Sequence, residues 1–528
     1  MAKFLLIFCA KSTKLLNRIY FFYNRTYIFS NISLSNSPIN PRNLQKKNPS
    51  EITFQSCKSI QPSVDIFIPT YNEPVDILAR TIIGCQLVEY EKKIIYILDD
   101  GNRTEIKALA SRLGCEYISR KINYHAKAGN LNNAIKRTDS ELIAIFDADF
   151  IPTSNFLEET VQFFIDPELA LLQTNLSYLN PDPILKNLGV ANKFPNESEI
   201  FSSHYQLLRN SVGNAMCCGS SFLIRREHIN KINGFETESL SEDTYTSIKL
   251  FSHGYKIKFL NKKLSAGLSP ETLQARLLQH LRWTRGTIQS FFISSNPLTI
   301  PRLNISTRIS HIGTLVYRLT HVLRLLLFLI PALSIFLHLP IINTSTKELL
   351  VYLLPFYLLF MATYSILNRG TQSFFISDIY TVTQCFHLSL CILKTIISPF
   401  SKDFVVTPKG LYLRRSIFCN KNLLMPLVFF YILNLASLFY LLKHIADNAI
   451  NSTILINFIL VIYNLIVINF SCLSIIPLDK STISNLLSSD LKVSLCSEVD
   501  PPQSQRFSEG ELLNINPLVI KLYTKNKH

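Results

Sequence analysis

The run Leu142-Ile-Ala-Ile-Phe-Asp147-Ala-Asp149-Phe-Ile-Pro152 decides how the rest of the chain is read. A short apolar segment ends abruptly in two carboxylates separated by one small residue. In an extended chain, residues i and i+2 point to the same side, so Asp147 and Asp149 are expected to face one point. A hard cation, which takes oxygen ligands, fits such a pair. The plain alternative is a strand closing in a solvated acidic turn, a common use of Asp. The segments on either side favour the first reading.

Upstream, short apolar runs alternate with helical segments. Strands are expected at Val64 to Pro69, Ile94 to Leu98, Cys115 to Ser119 and Leu142 to Phe146, with helices from near Val75, over Thr104 to Leu113 and over Ala128 to Arg137. This alternation predicts a largely parallel, Rossmann-like α/β sheet. Ligands of such sheets bind beyond the carboxyl ends of the strands. Three of the expected strands deliver polar residues there: Thr70 to Glu73, Asp99 with Asp100, and Asp147 with Asp149.

Composition bounds the rest. The chain has 528 residues, 48% of them hydrophobic and 17% charged, which points to a membrane portion beside a folded domain. The net charge of +16 comes without a nucleic-acid-binding signature, so an anionic membrane surface explains it more simply than nucleic acid does. The 11 cysteines include no Cys-x-x-Cys pair and read as reduced thiols.

Residues 1–63 are basic, and their apolar runs are shorter than the roughly 20 residues a span needs, so this arm is read as disordered or lying on a membrane surface. An α/β domain is expected over 64–300. From 301 to 478 the pattern is that of an all-α transmembrane region, with uncharged runs at 325–342, 349–367, 423–442 and 454–478. Lysines and arginines crowd the long loop between the second and third runs, which predicts that this loop and the α/β domain face the cytoplasm. Within the loop, Asp378, His387 and Lys394 interrupt the apolar pattern, so an interfacial helix is expected there, ahead of a loop ending near 410. The tail, 479–528, is polar.

Several motifs in order make the stretch from about Val64 to Gly410 resemble the family 2 glycosyltransferases, and within them the bacterial cellulose synthase catalytic subunits. They are Pro69-Thr-Tyr-Asn-Glu-Pro74, Asp99-Asp100-Gly101, His125-Ala-Lys-Ala-Gly-Asn130, Asp147-Ala-Asp149, Cys217-Cys-Gly-Ser220, Ser241-Glu-Asp243, Gln279-His-Leu-Arg-Trp283 and Phe404-Val-Val-Thr-Pro-Lys-Gly410. The resemblance implies a GT-A-type fold and a processive, inverting transfer of glucose from UDP-glucose to a growing β-1,4-glucan in the bacterial inner membrane. It also implies roles. Thr70, Tyr71, Glu73 and Asp99 would hold the nucleotide. Lys127 and Arg282 would face the diphosphate. Asp147 and Asp149 would bind Mg2+ or Mn2+. Asp243 would be the general base, an inverting transfer needing one carboxylate to take a proton. Ser241 would cap the helix carrying it.

Gln279, Arg282 and Trp283 fall on one helical face. Trp283, the only tryptophan, would stack on the acceptor sugar, with Gln279, Cys218, Gly219 and Ser220 beside it; Cys217 reads equally well as packing. Gln173-Thr174 and Asn180-Pro-Asp-Pro183 resemble a segment near the acceptor. Phe404, Val406, Thr407 and Lys409 would belong to a gating loop over the bound nucleotide sugar. Family members usually carry membrane helices before the catalytic domain, an accessory export subunit, and often a PilZ domain for cyclic di-GMP. The arm here shows no clear span, and the tail, with Arg506 alone, lacks the paired arginines of a PilZ domain, so no cyclic di-GMP binding is expected. The rival readings are a related synthase making a β-1,3-glucan or a GlcNAc-containing polymer, and an inactive membrane scaffold.

Overall fold

The computed structural model describes residues 61–338, 345–367, 373–400, 421–446 and 452–475. Nearly all of the N-terminal arm, the tail with Arg506, and the gating-loop residues Phe404, Val406, Thr407 and Lys409 lie outside the described residues.

The expected alternation folds as β1 (Val64–Thr70), α1 (Val75–Gln86), β2 (Lys93–Asp99), α2 (Thr104–Arg112), β3 (Glu116–Ser119), α3 (Ala126–Ile135) and β4 (Leu142–Ile145). β1 pairs in parallel with β2 and β4, and β2 with β3. Strand alternation sorts the side chains into two layers. Ile66, Ile68, Ile97 and Ala144 pack with Leu78 and Ile82 of α1 and Ile106 of α2. Phe67, Leu98, Ile143 and Ile145 pack on the other face with Ala128 and Leu131 of α3. Both faces are covered, which is why these strands read as continuous apolar runs.

The chain continues through β5 (Ile151–Pro152), α4 (Phe156–Val161), β6 (Leu169–Thr174), β7 (Ser177–Tyr178), α5 (Pro183–Asn187), α6 (Glu197–Ile200), α7 (Gln206–Ser211), β8 (Phe222–Arg225), α8 (Arg226–Lys231), α9 (Glu242–Ser252), β9 (Lys256–Leu260), β10 (Ser265–Gly267) and α10 (Leu273–Gln289). The main sheet has seven strands in the order β3-β2-β1-β4-β8-β6-β9. β8 runs antiparallel to both of its neighbours, β4 and β6, whereas β6 and β9 are parallel. The sheet is therefore largely parallel, with one reversed strand. Thr70 stands opposite Asp99, and Asp99 opposite Ser119, so the carboxyl ends of β1, β2 and β3 are level.

One local expectation is corrected. β4 stops at Ile145, and Asp147 and Asp149 lie in a turn closed by a Phe150 N–H to Asp147 carbonyl bond of 2.9 Å, not on a continued strand. The chain must bend there because Ile151–Pro152 pairs with β10 in a separate three-stranded sheet.

Beyond the sheet come α11 (Ile305–Phe336), α12 (Thr346–Leu367), α13 (Phe374–Ile397), α14 (Lys421–Ala446) and α15 (Ser452–Ile475). Among the described residues, four helical segments are long and apolar enough to cross a membrane: Ile305–Phe336, Phe374–Ile397, Lys421–Ala446 and Thr453–Ile475. α12 coincides with the expected run at 349–367. α11 begins 20 residues before the expected run at 325, because the helix carries Arg308, Arg318 and Arg324 where an uncharged run would break off. α13 also differs from expectation: taken from sequence as interfacial, it has the length and apolarity of a span. Its Asp378 accepts from the Tyr463 hydroxyl at 2.7 Å and pairs with Arg324 at 3.0 Å, so the charge that seemed to interrupt the helix is neutralised between helices.

Candidate active site

The nucleotide motifs converge first. Glu73 Oε2 accepts from the Thr70 hydroxyl and from the Tyr71 backbone N–H, both at 2.8 Å. Asp99 is fully buried and accepts from the backbone N–H groups of Gly101 (3.0 Å) and Arg103 (2.7 Å) and from the Tyr117 hydroxyl (3.0 Å). Arg103 links the two groups: its guanidinium donates to Asp99 at 3.2 Å, to the Thr70 hydroxyl at 2.6 Å and to the Glu73 carbonyl at 2.6 Å. Tyr71 is exposed beside this cluster, where its ring is open to a stacking partner. Gly101 is required by packing, since a Cβ there would overlap the Tyr71 carbonyl.

The second group gathers around Lys127. Its ammonium donates to Asp147 Oδ1 and to the Gly219 carbonyl, each at 2.5 Å. Lys127, at the start of α3 where it was expected to face the diphosphate, lies at the end of β4 beside the loop before β8. Gly219 has φ +87°, and a Cβ on it would stand 3.0 Å from Asp243 Oδ2 and 3.7 Å from Lys127 Nζ. Asp243 and Lys127 thus flank one glycine. Ser220 belongs to the same turn, its hydroxyl accepting the Asp147 backbone N–H at 3.0 Å. Cys218 N–H donates to Gln173 Oε1 at 2.7 Å, and Gln173 Nε2 donates to the Ser220 carbonyl at 2.8 Å. Gln173 therefore shapes the Cys218–Ser220 loop from beneath. Burial, with the charge of Asp243 adding to it, pushes the Cys218 thiol up to about 12, which makes it an inert lining group.

Asp243 stands in the first turn of α9, its Oδ1 accepting the Thr244 N–H at 2.7 Å. Burial raises its pKa to about 7, with the negative charge of Glu242 pushing the same way; the Thr244 N–H, Lys127 and Arg282 pull it back. A carboxyl held there is suited to accept a proton near neutral pH. Ser241 does not cap α9, contrary to expectation. Its side chain lies against Gly286 of α10, where any Cβ would overlap it. That contact sets α10 against α9 and brings Arg282 close enough for its charge to act on Asp243. Trp283, half-buried, has its ring 5.1 Å from that of His280. Gln279 is also half-buried on α10. Asn180 and Asp182 serve structure: Asn180 exchanges two bonds with Ser269, at 3.0 and 2.8 Å, and Asp182 caps α5 and pairs with Arg276.

Asp149 is buried and accepts the Leu268 N–H at 3.2 Å, whereas the Asp147 side chain is 31% exposed. Two hard carboxylates are donors that fit a divalent cation, and Lys127, which holds Asp147 Oδ1, would have to yield that oxygen to it. Among the described residues no group of three or more His, Cys, Asp or Glu gathers as a ready metal cage. A cation here would draw its remaining ligands from water or from a bound diphosphate.

Residues 142–367 match the family described as glycosyl transferase family group 2. The chain is 34% identical over 414 residues to a UDP-forming cellulose synthase catalytic subunit of Pseudomonas fluorescens, an alignment covering 77% of this chain and 55% of the relative. It is 36% identical over 376 residues to cellulose synthase 1 of Komagataeibacter xylinus, covering 70% of this chain and 24% of that one. The chain thus spans from about a quarter to about half the length of these curated relatives. Among solved structures, a mannosyltransferase of Pyrobaculum calidifontis in complex with GDP-mannose and Mn2+ is similar at TM-score 0.42 and 14% identity, over 74% of this chain and 98% of the mannosyltransferase.

No sequence motif marks Arg103, Arg120 or Gly286 as part of the site. The first two follow strand ends directly or nearly so, and that position is the one signal that marks them.

Proposed function

We propose that the chain is a membrane-embedded, processive, inverting glycosyltransferase that moves glucose from UDP-glucose to the 4-hydroxyl of a growing β-1,4-glucan. The observation that supports this most is the meeting of Lys127, Asp147, Gly219 and Asp243, from four separate segments, beside the cluster of Thr70, Glu73 and Asp99. The relatives named above, cellulose synthases of which one is described as UDP-forming, support a UDP-sugar donor and a cellulose product.

In this reading Thr70, Tyr71, Glu73 and Asp99 hold the nucleoside, and Tyr71 packs on the base. Asp147 and Asp149 would hold Mg2+ or Mn2+, which when bound neutralises diphosphate charge. Lys127 and Arg282 add fixed positive charge where the leaving UDP accumulates negative charge. Asp243 takes the proton from the attacking 4-hydroxyl, and the sugar carbon changes its bond from the diphosphate oxygen to that hydroxyl oxygen with inversion. Trp283 and Gln279 support the acceptor from α10, with Cys218, Gly219 and Ser220 opposite. The residues Phe404, Val406, Thr407 and Lys409 would close over the donor. In this reading the catalytic domain faces the cytoplasm at a bacterial inner membrane, and the Lys- and Arg-rich loop of the sequence supports that orientation.

Incubation of the purified chain in detergent with radiolabelled UDP-glucose and, separately, UDP-N-acetylglucosamine tests the reading. Insoluble label from UDP-glucose alone, released by a β-1,4-specific glucanase, is expected. Label from UDP-N-acetylglucosamine, or release by a β-1,3-glucanase, would overturn the donor or the linkage.

A further inference from the structure

Arg120 has no part in the roles assigned above, yet its guanidinium donates four hydrogen bonds. It follows β3, with its side chain 12% exposed. Nε and Nη2 grip the two oxygens of Asp100 at 2.5 and 2.7 Å. Nη1 donates to the Tyr124 carbonyl at 2.7 Å, and Nη2 also reaches the Ala126 carbonyl at 2.8 Å. Asp100 is itself nearly buried, so the fork is anchored to a fixed carboxylate at the end of β2.

What the fork holds is a strained turn. His125 (φ +62°) and Ala126 (φ +43°) are consecutive non-glycine residues in the left-handed region. Such residues persist only where surrounding contacts enforce them. The turn leads directly into Lys127, whose ammonium spans Asp147 and Gly219. Gly129 completes the arrangement: a Cβ there would overlap both the Tyr124 carbonyl and Arg120 Nη1. A continuous set of contacts therefore runs from Asp100 through Arg120 and the 124–126 turn to Lys127 and Asp147.

We infer that Arg120 is a positioning residue whose forked grip on Asp100 and on the 124–126 turn sets Lys127 between Asp147 and Gly219. It touches no reacting atom; it acts through Lys127. Lysine cannot replace it, because an ammonium lacks the planar fork that holds a carboxylate and two carbonyls at once.

This rests on the transferase reading, and a double-mutant cycle separates the two. In the full chain purified in detergent, kcat/KM for UDP release from UDP-glucose is measured for wild type, Arg120→Ala, Arg120→Lys, Lys127→Ala and Arg120→Ala with Lys127→Ala. Both Arg120 variants are expected to lose about 100-fold, as misplacement of a reacting group does. In the Lys127→Ala background, Arg120→Ala is expected to cost less than about twofold more, because the two residues act as one unit. Where Lys127→Ala takes turnover below detection, the same cycle is read in the dissociation constant for UDP. Where Arg120→Ala fails to fold, Asp100→Asn, which keeps the side-chain shape and weakens the grip, takes its place. Losses that multiply independently, or a wild-type rate in Arg120→Lys, would overturn the inference. A wild type that releases no UDP would instead overturn the transferase reading on which it stands.

Discussion

Asp243 carries the sharpest consequence at the residue scale. A carboxyl with a pKa of about 7 is mostly protonated below that pH and cannot accept a proton. kcat/KM is therefore expected to rise about tenfold per pH unit from pH 5 to near 7 and to level off above it. A profile flat between pH 5.5 and 8 would remove Asp243 as the base. The sign for stability is the opposite: a raised folded-state pKa favours the protonated form, so this group's contribution is present at acid pH and is lost as the pH rises through about 7. Asp147, Asp149, Lys127 and Asp243 were legible in the sequence because each sits at a strand end or helix start within a short motif. Arg103 and Arg120 were not, because an arginine just after a strand looks like a solvated charge until its partners, 4 and 20 residues away in sequence, are seen folded against it.

At the scale of elements, the critical contact is α9 against α10. Gly286 lets α10 approach Ser241 with no room for a side chain. Gly286→Ala must push α10 outward, and Arg282, one turn earlier on the helix, moves with it. The expected result is a fall in UDP release of about 10- to 100-fold with overpacking costing about 1–3 kcal/mol in stability, and partial recovery when Ser241→Gly is added. Unchanged turnover in Gly286→Ala would show that this contact does not position the site. Strand and helix order were readable because both sheet faces are covered, which makes the apolar runs continuous. The bend at Asp147 was not, because it answers to β10, more than 100 residues later. The Ser241 hydroxyl was misread for the same reason: a capping rule is local, and Gly286 is distant in sequence.

Across the whole molecule, α10 ties the α/β domain to the helical bundle. Arg276 of α10 pairs with Asp182 and Glu197 of the α/β domain and lies 4.6 Å over the Tyr380 ring of α13. The helix that carries Gln279, Arg282 and Trp283 is thereby fixed to the apolar bundle, and Asn187 adds a bond of 2.7 Å to the Ser474 carbonyl of α15. Hydropathy located most of the bundle, but it discounted α13 in part for Asp378, whose charge is paired only once α11 and α15 are beside it.

Lys127, Asp147, Gly219 and Asp243 meet at one place, and Asp243→Asn tests what they do there most directly. The variant keeps the shape of the side chain and removes the proton acceptor. UDP binding by calorimetry is expected to stay within about threefold of wild type, the melting temperature at pH 8 to be no lower, and polymer synthesis from UDP-glucose to fall by at least about 100-fold. Synthesis at the wild-type rate in Asp243→Asn would contradict the mechanism.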